Sequence, residues 1–239
     1  MLDTFAGIGG FSYAATKLVG GYRTTQFIEI DPFCQKILRK HFPFTPIHDD
    51  IRTFTAIPGQ YDVICGGFPC QSISVAGNRA GITEESRSGI FYELMRVIRM
   101  VRPRFVVLEN VAAILNNGLD IVLGELSQAG YDAEWSVISA SSLGACHRRS
   151  RWWCVATLTN SYSQGVERRK LTINQKMQKT GFTWQSNTPH LSPKWRSYVS
   201  KSVLCRGDDG LSNRVDRLRA LGNSVVPQVA AIPLKRVHD

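Results

Sequence analysis

The chain has 239 residues, of which 43% are hydrophobic and 20% charged, a balance typical of a folded globular protein with a sizeable core. No apolar run reaches the roughly 18 residues that a membrane helix needs, and no signal-peptide pattern opens the chain. The six cysteines form no CxxC pair and no zinc-type spacing, which disfavours a disulfide framework or a metal site and predicts a reduced, cytoplasmic protein.

The net charge of +10 is concentrated towards the C-terminus. Residues 1–160 carry 15 Lys and Arg against 14 Asp and Glu, whereas residues 161–239 carry 14 against 5. A near-neutral body joined to a polyanion-binding region has this distribution, and so does a folded body joined to a solvated, poorly folded segment. Charge alone leaves both interpretations open.

Short apolar runs alternate with helix-period runs over the first 158 residues. The predicted strands are Met1–Thr4, Thr25–Ile30, Tyr61–Cys65, Phe105–Glu109, Tyr131–Ile138 and Arg151–Leu158. The predicted helices are Phe11–Leu18, Pro32–His41, Gly89–Val101 and Val111–Ala129. This alternation predicts an α/β fold with a mostly parallel sheet and helices on both faces, whose ligands bind beyond the carboxyl ends of the strands.

The character of the chain changes after the last predicted strand. Residues 160–207 are polar, basic and weakly periodic, which predicts a small irregular lobe. Periodicity returns with a helix candidate at Asn213–Leu221, followed by "GNSVVPQVAAIPLKR". We therefore expect one domain formed by residues 1–159 and 208–239, interrupted by the basic lobe.

The stretch "DTFAGIGGFSYAA" reads as a strand, a glycine-rich turn and a helix start, so Gly7, Gly9 and Gly10 could admit a ligand close to the backbone. Glu29 ends the next strand, where a carboxylate could bind a ribose hydroxyl pair, and Asp50 could bind an adenine amino group. The third glycine of the dinucleotide-binding pattern is missing, so the motif alone also fits a turn without a ligand.

Cys70 lies in "GGFPCQSIS", directly after a predicted strand. The glycines and Pro69 indicate a constrained, exposed backbone and disfavour a core position. A nucleophilic thiolate would need a positive local field to lower its pKa. A small residue at a turn is the alternative.

"FVVLENV" ends a buried strand with Glu109 and Asn110. A carboxyl group whose pKa is raised by burial could deliver a proton to a ring nitrogen. Helix capping is the alternative, and Asn110 could supply it without Glu109.

"HRRSRWW" places Arg149 and Arg151 on alternate residues at a strand entrance. Alternate residues point to the same side of a strand, so both guanidinium groups could face one site. A solvated basic strand end is the alternative.

Taken together and in this order, the motifs resemble those of the cytosine-C5 DNA methyltransferases of prokaryotes and phages. "DTFAGIGGF" and "FIEID" resemble the first two cofactor motifs, and "DDI" the third. "GGFPCQS" resembles the nucleophile loop, "ENV" the general-acid motif and "HRRSR" the arginine motif. "ALGNSVVPQVA" resembles the closing motif. The resemblance covers about residues 2–158 and 208–233.

The resemblance implies a Rossmann-like fold that binds S-adenosylmethionine, with the basic lobe as target-recognition region. It also implies that a cytosine is flipped out of the DNA helix and attacked at C6 by Cys70. Glu109 would protonate N3, C5 would take the methyl group, and a base would then remove the C5 proton so that Cys70 leaves. Arg149 and Arg151 would hold the cytosine O2 and nearby phosphates.

The resemblance also implies the binding residues. The cofactor contacts would be Phe5, Gly7, Ile8, Gly10, Glu29, Ile30, Asp50, Ile51, Phe68, Asn223 and Ser224. The DNA contacts would be Gln71, Ser74, Arg79, Asn110 and Arg148. Only Met1 and Leu2 precede the first motif, so we expect an unusually short first strand.

The expected partner is double-stranded DNA, bound by a monomer in the cytoplasm of a prokaryote or of a phage-infected host. A cognate restriction endonuclease would be a functional partner and not a physical one. No metal and no membrane are expected. Three alternatives stay open: a methyltransferase for tRNA cytosine, a nicotinamide-dependent oxidoreductase using the glycine turn, and a catalytically weak DNA-binding relative.

Overall fold

The computed structural model describes residues 1–69, 89–116, 118–159 and 214–238, and seven strands in these ranges form one sheet of order β3-β2-β1-β4-β5-β7-β6. The strands are β1 (Leu2–Thr4), β2 (Gln26–Ile28), β3 (Ile47–His48), β4 (Val63–Gly67), β5 (Phe105–Val111), β6 (Tyr131–Ser139) and β7 (Ser150–Leu158).

The first five strands are parallel, and β7 runs antiparallel to both β5 and β6. The predicted mostly parallel sheet is therefore confirmed. The first strand has three residues, as short as expected. The sequence prediction missed β3, because a two-residue strand is too short to show an alternating pattern.

Helices of several kinds connect the strands. They are α1 (Gly10–Tyr13), which continues into a π-helical turn (Ala14–Val19), α2 (Pro32–His41), α3 (Gly89–Val101), a 3-10 turn (Ala112–Leu115), α4 (Leu119–Gln128), a second 3-10 turn (Ala140–Leu143), α5 (Arg214–Asn223) and α6 (Pro227–His238). The bounds predicted for α2 and α3 are confirmed at both ends.

The predicted helix over Val111–Ala129 is wrong in its first half, which is a strand end and a 3-10 turn. Regular α-helix begins only at Leu119, after Gly118, whose φ of 120° lies outside the helical region. The apolar run continues through this break, so hydrophobic periodicity alone could not locate it.

Two apolar cores flank the sheet. One lies between the sheet and α3 and α4, and includes Leu94, Ile98 and Leu126. The other lies on the face covered by α1 and α6, and includes Phe11 and Leu234. The helices therefore cover both faces, as predicted.

The strand directions place one group of chain segments at the same edge of the sheet. The carboxyl ends of β1, β2, β4 and β5 lie there, and so does the amino end of the reversed strand β7. This is the edge at which open α/β sheets bind ligands. The proposed recognition lobe, residues 160–207, lies outside the described residues.

Candidate active site

The glycine turn after β1 leaves open space at one of its positions. Phe5, Gly7 and Gly9 all have positive φ, of 53°, 54° and 87°. A Cβ added to Gly7 would meet nothing within 4 Å, whereas one added to Gly9 would lie 2.8 Å from the ring of Phe42. Ile8 between them is half-buried. The backbone at Gly7 therefore borders a space that a ligand could enter.

Gly10 packs closely against the segment before α6. A Cβ added there would lie 2.6 Å from Cγ2 of Val225 and 3.0 Å from its carbonyl oxygen. Gly10 is buried, and the absence of a side chain lets the segment before α6 pack directly on α1. Gly10 therefore joins the two ends of the chain beside the turn, and its predicted cofactor contact stays a prediction.

A buried carboxyl group in β1 holds the start of α1, just after the glycine turn. The sequence analysis missed this group. Asp3 is fully buried, and its Oδ2 accepts hydrogen bonds from the backbone N–H of Ser12 (3.2 Å) and from its hydroxyl (2.6 Å). Burial raises the pKa of Asp3 to about 7. Its Oδ1 has no hydrogen-bond partner among the described residues. An acid inside an apolar strand was the signal that could have revealed it.

Glu29 is fixed between the glycine turn and α2. Its Oε2 accepts the N–H of Gly7 at 2.6 Å, and its Oε1 accepts the N–H of Asp31 at 2.8 Å. Burial raises its pKa, and these two backbone hydrogen bonds oppose the increase. The neighbouring side chain, Ile30, is 63% exposed. The site thus presents a carboxylate with lone pairs to spare beside an exposed apolar side chain.

Asp50 lies in the turn that follows β3. Its carboxylate accepts hydrogen bonds from the backbone N–H (3.0 Å) and the Nη2 (2.6 Å) of Arg52. These hydrogen bonds lower the pKa of Asp50. Ile51 is 3% exposed, so its side chain belongs to the core and only its backbone is available. A ligand at Asp50 would have to share the carboxylate with Arg52, whose side chain is 59% exposed.

Glu109 is a buried carboxyl group at the end of β5. It is 8% exposed, and its Oε1 lies 3.0 Å from Nε of Arg151. Burial raises the pKa of Glu109 to about 7, although the charges of Arg151 and Arg149 act to lower it. Gly67 lies directly opposite on β4. At neutral pH this carboxyl group can both hold and release a proton.

Asn110 points to the other face of the sheet and holds the backbone of the neighbouring loop. Its Nδ2 donates to the carbonyl oxygen of Phe68 (3.2 Å), and its Oδ1 accepts the N–H of Val111 (2.8 Å). It is 2% exposed, and its predicted DNA contact stays a prediction. The alternative role as a helix cap is absent, since no side chain caps the 3-10 turn.

Phe68 is buried against α3. The ring is 4% exposed and packs on Phe91 of α3, with ring centroids 5.0 Å apart. With its carbonyl oxygen bonded to Asn110, Phe68 anchors the chain just before Pro69. Its predicted cofactor contact stays a prediction.

Arg149 and Arg151 differ in their partners. Arg149 is half-buried at the amino end of β7, and its Nη2 donates to the carbonyl oxygens of Gly222 (2.9 Å) and Ser224 (2.6 Å). Burial, followed by the charge of Arg151, lowers the pKa of Arg149. Arg149 thus fastens the end of α5 and the residue after it to the sheet. Of these two arginines, Arg151 is the one that contacts Glu109.

A cavity of about 320 Å³ lies where Arg149 meets the end of α5 and the segment that follows it. It is lined by His147, Arg149, Leu221, Ser224 and Val226. Asn223 and Arg148 are both exposed, and the backbone carbonyl of Arg148 accepts the N–H of Ala140 at 2.8 Å.

A model of the family described as "C-5 cytosine-specific DNA methylase" matches residues 1–204. The chain belongs to this family. The resemblance of the ordered motifs to cytosine-C5 methyltransferases is thereby confirmed.

Curated relatives of this chain include viral and bacterial proteins. "Type II methyltransferase M.CviJI" of Paramecium bursaria Chlorella virus IL3A is 32% identical over 229 residues, which cover 95% of this chain and 56% of that protein. "Type II methyltransferase M.MspI" of Moraxella sp is 28% identical over 222 residues, covering 90% of this chain and 51% of that protein. The chain thus spans about half the length of these relatives.

Solved structures support the fold. The crystal structure of S. pombe Dnmt2 methyltransferase matches with a TM-score of 0.66 at 17% identity, covering 99% of this chain and 97% of that one. The Entamoeba histolytica methyltransferase EhMeth matches with a TM-score of 0.62 at 16% identity, covering 100% and 98%. The Rossmann-like fold expected of a methylase of this family is therefore confirmed.

The described residues include only part of the predicted site. Cys70, Gln71, Ser74 and Arg79 lie outside the described residues, which resume at Gly89. In the described ranges no cluster of three potential metal ligands occurs, and no helix there is long and apolar enough to cross a membrane.

Proposed function

We propose that this methylase chain is the catalytic part of a DNA (cytosine-5-)-methyltransferase that uses S-adenosylmethionine. The observation that carries the proposal is the environment of Glu109. A buried carboxyl group with a pKa of about 7 lies opposite Gly67, three residues before Cys70 in the sequence. The strand that ends three residues before Cys70 in the sequence thus lies beside the strand that carries Glu109, which supports the pairing of proton donor and thiol that we propose.

The proposed chemistry assigns complementary tasks to these two residues. Glu109 donates a proton to N3 of the flipped cytosine, which makes C6 electrophilic. The Cys70 thiolate forms a bond to C6, and C5 becomes nucleophilic as an enamine carbon. After C5 is methylated, a base removes the C5 proton and the bond between Cys70 and C6 breaks. Arg151, 3.0 Å from Glu109, orients the carboxyl group and supplies positive charge.

The described residues fit the cofactor. The open space at Gly7 admits a ligand close to the backbone, and Glu29 is oriented to accept from a ribose diol while exposed Ile30 covers one side of a base. Asp50 supplies an acceptor for an exocyclic amino group. When bound, S-adenosylmethionine supplies an electrophilic methyl group. Cofactor binding would then reach from the turn after β1 to the turn after β3.

The cavity beside Arg149 belongs to the same proposal. Its basic lining residues, His147 and Arg149, and the exposed Arg148 suit a polyanion such as duplex DNA. A monomer acting on DNA in the cytoplasm, with a restriction endonuclease as functional partner, is the cellular setting that we propose for this activity.

Methyl transfer from labelled S-adenosylmethionine to duplex DNA tests the activity. We expect incorporation with the wild type and with Cys146→Ser, a matched control at an exposed cysteine, and none with Cys70→Ser. Duplexes containing 5-fluorocytosine should trap a covalent complex, because the fluorine at C5 cannot leave as a proton. Activity that survives in Cys70→Ser would exclude the covalent mechanism.

Parallel assays decide between the substrates and the cofactors. Incorporation into tRNA but not DNA would replace the DNA assignment with the tRNA alternative. A binding titration with a nicotinamide dinucleotide and with S-adenosylhomocysteine should show binding of the latter only. Binding of the dinucleotide alone would contradict the proposal as a whole.

A further inference from the structure

One arginine of α3 reaches the turn that carries Asp50. Nη1 of Arg96 donates to the carbonyl oxygen of Phe54 (3.0 Å), and its Nη2 donates to those of Ile51 (2.6 Å) and Arg52 (3.3 Å). Three carbonyl oxygens of one short segment thus converge on one guanidinium group.

A fourth contact fixes the direction of this guanidinium group. Nε of Arg96 donates to Oε2 of Glu93 at 2.6 Å, one helical turn earlier on α3. The two side chains are 35% and 30% exposed, so they are partly shielded from water. The planar guanidinium fork therefore points its two remaining nitrogens at the turn.

The turn itself has a polarity that matches this contact. The N–H of Thr53 donates to the carbonyl oxygen of Asp50 (3.1 Å), and the N–H of Phe54 donates to that of Ile51 (3.3 Å). These hydrogen bonds make a single helical turn whose carbonyl oxygens collect at the Arg96 end. A cation at the carbonyl end of a helical turn is stabilising. Asp50 begins this turn, and the proposed cofactor meets it at the Asp50 carboxylate and at the backbone of Ile51.

The apolar side of the same segment rests on α3 as well. Ile51 and Phe54 are 3% and 5% exposed and belong to the same core cluster as Phe91 and Met95 of α3. Packing keeps the segment on the helix, but an apolar contact is not directional. The carbonyl contacts of Arg96 are directional and hold the backbone of residues 51–54, which includes Arg52, the partner of the Asp50 carboxylate.

We propose that Arg96 is a positioning residue for cofactor binding, which acts by holding the turn of residues 50–54 in the orientation that presents Asp50 and the backbone of Ile51. This inference rests on the proposed function. Arg96 contacts the turn and not the cofactor, so its loss weakens cofactor binding and leaves the chemical step intact once the site is filled. Lysine cannot replace it, because one ammonium group cannot reproduce a planar fork that serves several acceptors.

The test compares Arg96→Lys with Arg99→Lys. Arg99 lies on the same helix and pairs with Glu125 of α4, away from the turn. We expect Arg96→Lys to raise the dissociation constant of S-adenosylhomocysteine, measured by calorimetry, by about 10-fold, as expected for the loss of one or two charge-assisted hydrogen bonds. The KM for S-adenosylmethionine should rise equally, with kcat at saturation changed by less than about 3-fold. Arg99→Lys should match the wild type in both.

A second variant guards against a folding defect. Glu93→Gln keeps Arg96 but weakens the contact that directs it, so a smaller increase of about 2- to 5-fold is expected in the same dissociation constant. Wild-type cofactor affinity in both Arg96→Lys and Glu93→Gln would overturn the inference, and so would a fall in kcat without any change in affinity. If the wild type binds no S-adenosylhomocysteine, the proposed function itself fails. The two failures are therefore distinguishable.

Discussion

Gly67 and Glu109 lie directly opposite each other on neighbouring parallel strands, and a Cβ added to Gly67 would lie 2.9 Å from Oε2 of Glu109. The other carboxylate oxygen is 3.0 Å from Arg151. Glu109 therefore occupies a space that exists because Gly67 has no side chain. The carboxyl group cannot move away from Gly67 without weakening its ion pair with Arg151.

Substitution of Gly67 tests this relationship. In Gly67→Ala, the carboxyl group has to move by a few tenths of an ångström, and we expect methyl transfer to fall by about 10- to 100-fold. The free energy of unfolding should fall by only about 1 kcal/mol, because the displaced atom is the end of a flexible side chain. Steady-state kinetics and urea unfolding measure both quantities.

Gly66→Ala is the matched control. A Cβ at Gly66 would collide with Oγ1 of Thr4, which is buried and donates to the carbonyl oxygen of Cys65 at 2.8 Å. We expect the free energy of unfolding of this variant to fall by about 2–3 kcal/mol, which is more than that of Gly67→Ala. A fully active Gly67→Ala would show that Glu109 is not held where the chemistry needs it.

Glu109→Gln should separate activity from stability. Because the pKa of Glu109 is raised to about 7, the folded protein binds more protons than the unfolded chain between about pH 4.5 and 7. The contribution of Glu109 to stability is thus fully present at low pH and is lost as pH rises through 7. Glutamine does not titrate. The free energy of unfolding of Glu109→Gln, relative to that of the wild type, should therefore increase by about 1–3 kcal/mol between pH 5 and pH 8.

The same variant should be nearly inactive, with methyl transfer reduced by about 100-fold or more, because the amide cannot donate an acidic proton. Urea unfolding at the two pH values and labelled methyl transfer are the measurements. A difference in stability that is constant between pH 5 and 8 would contradict the raised pKa.

Asp3 should tolerate loss of charge but not loss of its oxygen. In Asp3→Asn, the amide oxygen can still accept from the N–H and hydroxyl of Ser12, and no buried charge has to form above pH 7. We expect stability equal to or above that of the wild type at pH 8. Asp3→Ala leaves Ser12 without its acceptor and should cost about 2–4 kcal/mol in unfolding free energy. Equal melting temperatures of Asn and Ala variants would refute this role.

The contact between Gly10 and Val225 should couple the two ends of the chain. Gly10→Ala would place a methyl group 2.6 Å from Cγ2 of Val225, so we expect the last segment to be displaced and hydrogen exchange in α6 to increase. Val225→Ala removes Cγ2 but leaves the carbonyl oxygen 3.0 Å away. The double variant should therefore recover part of the lost protection, and a strictly additive loss would show that the two positions are independent.

Local signals explain which elements the sequence predicted correctly. The side chain of Asp31 accepts from the N–H groups of Phe33 and Cys34, and Pro32 occupies the first helical position, so the start of α2 is encoded within four residues. The end of α3 precedes Pro103, which disfavours helical geometry in the residue before it. Such features need no knowledge of the rest of the fold.

The surroundings that the sequence could not predict have the opposite origin. Gly7 borders open space and Gly10 is closely packed, yet a glycine-rich motif does not distinguish them. Gly10 packs against Val225, which is more than 200 residues away in the sequence. Asn110 follows Glu109 in the sequence, yet the pleat of β5 sends it to the opposite face of the sheet. Which glycine or polar residue meets a ligand is decided by partners that a linear pattern does not contain.

The reversed direction of β7 has a consequence for insertions and deletions. Its amino end, and not its carboxyl end, brings Arg151 to Glu109, and the residue paired with Asn110 is Trp152, which is fully buried. One residue inserted between Arg149 and Trp153 would move each later side chain to the other face of the sheet. Length variation among homologues should therefore be tolerated before Arg149 and excluded between Arg149 and Trp153.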